Sequence, residues 1–288
     1  MTDIDNLFSG LINKNDNQAQ TKSEVKSEVK EAIPSAPQQQ TTANPPITLK
    51  EEEDNLGALV YTIYGQKGVG KTTLALAFPG EILAFSFDRK TAIVKKFLYN
   101  NDPRIHVYDI IKGVDYSTPE QMLKTADETY DAFVNFLKNY NGKVDFIVID
   151  DAADYQELCE WKMRYRHKLD AFSGFANLNF WKERNKYMTY VHSLMLNIAK
   201  KGIIYTTYTD KDETIVNGNV LTKKDIPKWV GIVLTNTDVV LKVYIDDGQR
   251  KLLVESSKND NLFKTGTVYT INTKEQLDNT IKQLLKNI

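Results

Sequence analysis

The stretch LVYTIYGQKGVGKTTLAL (59–76) decides the fold. Its first six residues are apolar, aromatic or β-branched, the composition of a buried strand. Glycines follow, and then KTTLALAF reads as a short helix stopped by Pro79-Gly80. Between strand and helix, Gly65-Gln66-Lys67-Gly68-Val69-Gly70-Lys71-Thr72 satisfies G-x-x-x-x-G-K-[ST] without departure. That context is the one the pattern requires. Glycines let backbone N–H groups wrap phosphates, and the helix start adds partial positive charge. Lys71 is placed for the β- and γ-phosphates, and the Thr72 hydroxyl for Mg²⁺. Gly65 through Thr72, with Thr73, are the expected ATP-binding residues.

A phosphate loop of this kind needs an acid to hold Mg²⁺. FIVID (146–150) supplies it: four apolar residues ending in a carboxylate, so Asp150 is the expected second metal ligand and the loop of 65–72 its partner. Asp151 follows directly, and two roles fit it. It can polarise the attacking water, or cap the helix of DAADYQELCEW. Asp88, at the end of the EILAFSF strand (81–87), is the other candidate base and can equally cap the next helix. Thr206, Thr207 and Tyr208 end a later strand, where a polar sensor of the γ-phosphate is expected. Thr207 is the leading choice, although threonine is ordinary in strands.

Outward from these motifs, strands and helices alternate from Leu59 onward, which implies a mainly parallel sheet with crossover helices. RIHVYDI (104–110), VDFIVID (144–150) and GIIYTTY (202–208) read as strands, and Thr118–Tyr140 keeps helical spacing. DVVLKVYID (238–246), Asp247-Gly248 and RKLLVES (250–256) read as a late antiparallel hairpin. Thr273 and Gln276 open a C-terminal helix with a capping box. The segment KDETIVNGNVLTKKD (211–225) reads as a flexible loop. The first sixty residues differ: after Phe8 no aromatic appears until Tyr61, and Pro, Gln, Asn, Thr, Ser, Lys and Glu dominate. Such a composition does not offset its ordering entropy. The expected organisation is a disordered tail over 1–56 and one domain over 57–288. Within the tail, Ile4, Leu7, Phe8, Leu11 and Ile12 have helical spacing, which suits either a docking peptide for a protein partner or a chance cluster.

The charge balance, 37 basic against 38 acidic residues, excludes a wholly basic nucleic-acid binder while allowing a local patch. The single cysteine, Cys159, forms no internal disulfide and fits a reducing, cytoplasmic setting. No apolar run approaches the roughly 20 residues of a membrane helix. Partition-type ATPases carry a signature lysine where this chain has Gln66, so KGVGKTT resembles that class only superficially.

The order of parts resembles the RecA-like ATPase core over about residues 57–271: phosphate loop, strand ending near an acid, FIVID, polar-ended strand, late hairpin. It looks most similar to the short RecA-like ATPases of phages and archaeal viruses, often labelled as AAA domains. The later part of that resemblance rests on Thr237-Asp238-Val239-Val240-Leu241, Gly248-Gln249-Arg250, Lys258 and Thr265-Gly266. Members of that group commonly place Gln or His at the sensor, where this chain has Thr207 or Tyr208. The resemblance implies ATP-driven work on DNA, a homo-oligomer, and trans-acting cations, with Lys258 foremost and Arg250 or Lys251 behind it. The alternative for each is a solvated charge on an edge hairpin.

One segment bears on DNA independently. From Trp161 to Tyr187, seven cations face two acids and alternate with seven aromatics. That pattern suits single-stranded nucleic acid; it equally suits two amphipathic helices with aromatics in the core. The competing functions are a nucleotide kinase, for which no arginine-dense lid is present, and a module that binds ATP without hydrolysing it.

Overall fold

A computed structural model describes residues 57–174, 177–216, 219–228 and 236–286. Among the described residues the nine strands are β1 (Leu59–Gly65), β2 (Ile82–Ser86), β3 (Ile105–Asp109), β4 (Val144–Asp150), β5 (Ala199–Val216), β6 (Asn219–Pro227), β7 (Val239–Asp246), β8 (Gln249–Ser257) and β9 (Val268–Thr270). The helices are α1 (Lys71–Leu76), α2 (Thr91–Leu98), α3 (Pro119–Lys138), α4 (Ala152–Arg166), α5 (Leu178–Ile198) and α6 (Lys274–Leu284). The sheet runs β3-β2-β4-β5-β1-β7-β8-β9, and β6 pairs with β5 outside that path. Strands β1 to β5 and β7 are parallel, and β8 and β9 add antiparallel strands at one edge. The α/β class, parallel centre and late hairpin expected from the sequence are present.

Alternation along β4 explains the two-faced core. Ile147 and Ile149 pack with Tyr130, Phe133, Leu158 and Met195 from α3, α4 and α5. Phe146 and Val148 point the other way, into Leu74, Phe78, Leu277 and Ile281 from α1, its trailing turn and α6. A strand buried on both faces reads as the continuous apolar run seen in FIVID. Helix ends follow their sequence signals: Thr118 accepts from Gln121 N with Pro119 in the first turn, and Thr273 and Gln276 complete a capping box.

One expectation changes. Residues 211–216 and 219–225 are strand, not loop: β5 runs eighteen residues and continues past the sheet as an antiparallel pair with β6. The sequence hides this because the runs Lys211–Glu213 and Lys223–Asp225 are charged, which polar composition alone reads as a linker. Expectations for residues 1–56 lie outside the described residues. Among the described residues no helix is long and apolar enough to cross a membrane.

Candidate functional site

The loop after β1 is shaped by two close backbone approaches. A Cβ on Gly65 would lie 2.1 Å from the Val243 carbonyl oxygen of β7, so only glycine fits. Gly70 precedes α1 with φ 97°, in the left-handed region, and thereby turns the chain into the helix.

Lys71 is nearly buried, and its Nζ donates to Gly65 O at 3.1 Å and Gln66 O at 3.0 Å. The same ammonium sits 4.3 Å from the Tyr208 ring centroid. Burial lowers its pKa, and the neighbouring Asp151, Asp150 and Asp88 carboxylates oppose that shift.

Asp150, at the end of β4, is 2 % exposed and takes three hydroxyl donors. Thr72 Oγ1 from α1 and Thr206 Oγ1 from β5 donate to its Oδ1 at 3.0 and 2.5 Å, and Thr91 Oγ1 from α2 donates to its Oδ2 at 2.7 Å. Burial, with the Asp88 carboxylate, holds its pKa above the usual carboxylate value, and these hydroxyls offset only part of the rise. The sheet order makes this meeting possible: β5 lies between β1 and β4, so Thr206, level with Asp150 in the β4–β5 register, bridges from loop to acid.

Asp151 caps a helix and also faces the cavity. Its Oδ1 accepts from Ala153 N at 2.9 Å as the N-cap of α4, and it also lines the cavity beside the loop. The Asp150–Asp151 peptide is cis. Burial, then the Asp154 carboxylate, push the Asp151 pKa up from 3.8 to about 7. Burial, then Glu157, push Asp154 up to about 6. Asp88 lines the same cavity and accepts from Lys90 N at 3.0 Å and Lys90 Nζ at 3.2 Å. The cavity holds about 280 Å³, and its wall includes Lys67, Gly68, Gly70, Lys71, Thr72 and Thr73 of the loop, with Thr206 and Tyr208 of β5.

Two expected residues lie elsewhere. Thr207 faces away from the cavity, because β5 alternates and Thr206 and Tyr208 hold the inner side. Its hydroxyl donates to Lys228 O at 2.6 Å. Lys258 follows the end of β8 that pairs with Val239, the start of β7, and so lies at the sheet end away from the loop. Its Nζ pairs with Asp238 at 3.2 Å. Thr91 and Lys90 belong to the site without any motif to announce them.

The Trp161–Tyr187 cations are largely spent on structure. Lys162, 1 % exposed, bonds Asp127 at 2.7 Å and Asp131 at 2.9 Å between the Tyr130 and Tyr187 rings. Arg166 takes the same two acids at 2.8 and 3.2 Å. Arg164 and Arg184 share Glu160 at 2.8 and 3.5 Å. The neutralising acids come from α3 and from just before the segment, which is why a local charge count overstated the patch. Tyr165 and Phe172 remain exposed.

Among the described residues no cluster of three or more His, Cys, Asp or Glu side chains is built to hold a metal alone. A comparison with curated proteins finds no match. A family model described as an AAA domain matches residues 58–276, from the start of β1 into α6. The match takes in the loop, the buried acid of β4 and the strand between them, and the chain belongs to this AAA domain family of P-loop ATPases.

Proposed function

We propose that the protein binds ATP with Mg²⁺ and hydrolyses it. The observation that carries this reading is the convergence of Thr72, Thr206 and Thr91 on the buried Asp150 beside the Gly65–Thr72 loop. The donor set at this point, one hydroxyl and one carboxylate, is all oxygen and suits Mg²⁺, which keeps most of its shell in water and phosphate. Thr72 and Asp150 are the residues that would hold it. Held there, Mg²⁺ would supply positive charge to offset the negative charge developing on the phosphates.

The chain's own groups supply the rest. Lys71 leaves its carbonyl partners for the β- and γ-phosphates. Thr206 and Thr91 fix both carboxylate oxygens of Asp150. Asp151, whose pKa of about 7 suits a group that must accept a proton near neutrality, orients and deprotonates the attacking water. Asp88 is the second acid within the same cavity.

The proposal extends to single-stranded DNA as the partner that stimulates turnover, and to self-association on that partner. Its support is the RecA-like order of parts, since most of the basic segment is paired internally. A mobile or viral genome is the setting which that likeness implies, and the N-terminal apolar cluster is the proposed contact for a protein partner. The experiment is ATP turnover by the full chain with single-stranded, double-stranded and no DNA, alongside Lys71→Ala. Turnover that depends on Lys71 supports the ATPase reading, and stimulation by single strands supports the DNA reading. Turnover indifferent to every DNA form removes the DNA part alone.

A further inference from the structure

We infer that Arg250 is a nucleotide-binding residue supplied by the chain's own hairpin, holding the diphosphate portion of the nucleotide from the side of the loop opposite Asp150. This rests on the ATP reading above. It differs from a trans-acting role, because the side chain already lies on its own phosphate loop.

The backbone of Arg250 is pinned. Its N donates to Asn272 Oδ1 at 2.6 Å, and its carbonyl accepts from Ile271 N at 2.9 Å. Asn272 N in turn donates to Gln276 Oε1 at 3.0 Å, the glutamine of the α6 capping box. From this anchor the side chain reaches the loop. A Cβ built on Gly70 would lie 3.3 Å from Arg250 Nε and 3.5 Å from its Cδ and Cζ. The missing Cβ of Gly70 is what admits the guanidinium so close to the loop backbone.

That guanidinium lacks what its counterparts have. Arg104, Arg164, Arg166 and Arg184 each donate to a side-chain or backbone oxygen. Arg250 Nε is buried and has no hydrogen-bond partner among the described residues. A buried charged donor left unpaired is costly, and a guanidinium stays charged at any relevant pH. Its planar fork matches phosphate oxygens two at a time. A half-buried guanidinium whose Nε is buried and unpaired, set against a phosphate-binding loop, calls for an anion delivered by the ligand.

The sheet order selects which part of the ligand. β1 lies between β5 and β7, and β8 lies beyond β7. Lys71 leans to Tyr208 of β5, toward the acids of the hydrolytic side. Arg250 comes from β8, on the opposite flank, and is absent from the cavity wall that carries Asp88, Asp150 and Asp151. The loop amides between the two cations face the α- and β-phosphates. Arg250 therefore holds groups common to ADP and ATP.

The test titrates the full chain with magnesium pyrophosphate, ADP and ATP by calorimetry, comparing wild type, Arg250→Met, Arg250→Lys and Lys71→Ala. Arg250→Met is expected to weaken all three ligands together by about tenfold, the loss of one charge-assisted contact. Arg250→Lys keeps the charge without the fork and recovers part of that loss. Should the Met variant fold poorly, judged by ligand-free melting, the Lys variant carries the comparison. Unchanged affinities in both Arg250 variants overturn the assignment. So does a loss confined to ATP, which would put the guanidinium at the terminal phosphate. If Lys71→Ala abolishes binding and Arg250→Met does not, only the Arg250 assignment fails. If wild type binds none of the three, the nucleotide reading fails with it.

Discussion

The Thr72 hydroxyl donates to Asp150 Oδ1 at 3.0 Å, joining the first turn of α1 to the end of β4. The two groups expected to share Mg²⁺ are thus in direct contact. A hydroxyl that donates its proton to the carboxylate keeps its oxygen lone pairs for a cation.

Lys71→Ala is expected to lower ATP affinity by roughly a hundredfold, since Lys71 is the cation nearest the β- and γ-phosphates. Fluorescent-nucleotide titration checks this, and a folded variant with wild-type affinity would remove the loop from the mechanism.

Asp150 and Asp151 separate metal binding from water activation. Asp150→Asn is expected to abolish the magnesium dependence of ATP binding. Asp151→Asn keeps binding and slows single-turnover hydrolysis by about 10²–10⁴-fold, the range for loss of a general base. Normal hydrolysis by Asp151→Asn, with loss in Asp88→Asn, moves the base to the end of β2.

Adjacent threonines on β5 are expected to diverge. Thr206→Val removes a 2.5 Å bond to the buried Asp150 and impairs hydrolysis. Thr207→Val leaves Lys228 O without its donor and costs about 1–3 kcal/mol of stability, with turnover kept. Urea unfolding and steady-state assays distinguish the two. Equal loss of activity in both variants contradicts the alternation along β5.

Asp154 gives a pH signature in the nucleotide-free protein. Its folded pKa is raised from 3.8 to about 6, chiefly by burial, so the folded state binds the extra proton between those values. Its contribution is full below 3.8 and is lost as pH rises through about 6. Asp154→Asn is expected to melt higher than wild type at pH 7.5, with the gap closing toward pH 4. A gap that does not change with pH contradicts this.

Lys162→Met tests whether the 161–187 segment is core. The variant leaves Asp127 and Asp131 with only Arg166 and is expected to lose about 3–5 kcal/mol, the cost of breaking a buried pair. Chemical denaturation reads the loss. Full stability with weakened single-strand affinity would return Lys162 to a DNA-facing role.

Much of the fold was legible because strand burial and loop chemistry are local. The runs 59–64 and 146–150 are apolar since both sheet faces are covered, and the loop pattern needs only eight consecutive residues. What failed was non-local. The charge of Lys162 is cancelled by Asp127 and Asp131 on another helix, which no window over 161–187 includes. Thr206 and Thr207 have the same composition signal, and only register decides which faces Asp150. Thr91 and Arg250 reach the site through tertiary contacts that no spacing rule encodes.

The neighbours of β1 set a timetable for synthesis. Gly65 pairs with Tyr208, and Tyr64 with both Thr207 and Lys242. No strand made before or soon after β1 pairs with it among the described residues. At about 5–20 residues per second, a ribosome needs roughly 10 to 35 s to travel from the loop to the end of β7. Until β5 is made, an apolar strand and its glycines wait without a partner strand, and the far side of β1 stays open until β7. The nucleotide pocket is incomplete until β5 is made, and chains broken off before β5 carry the motif without the Thr206 and Tyr208 wall.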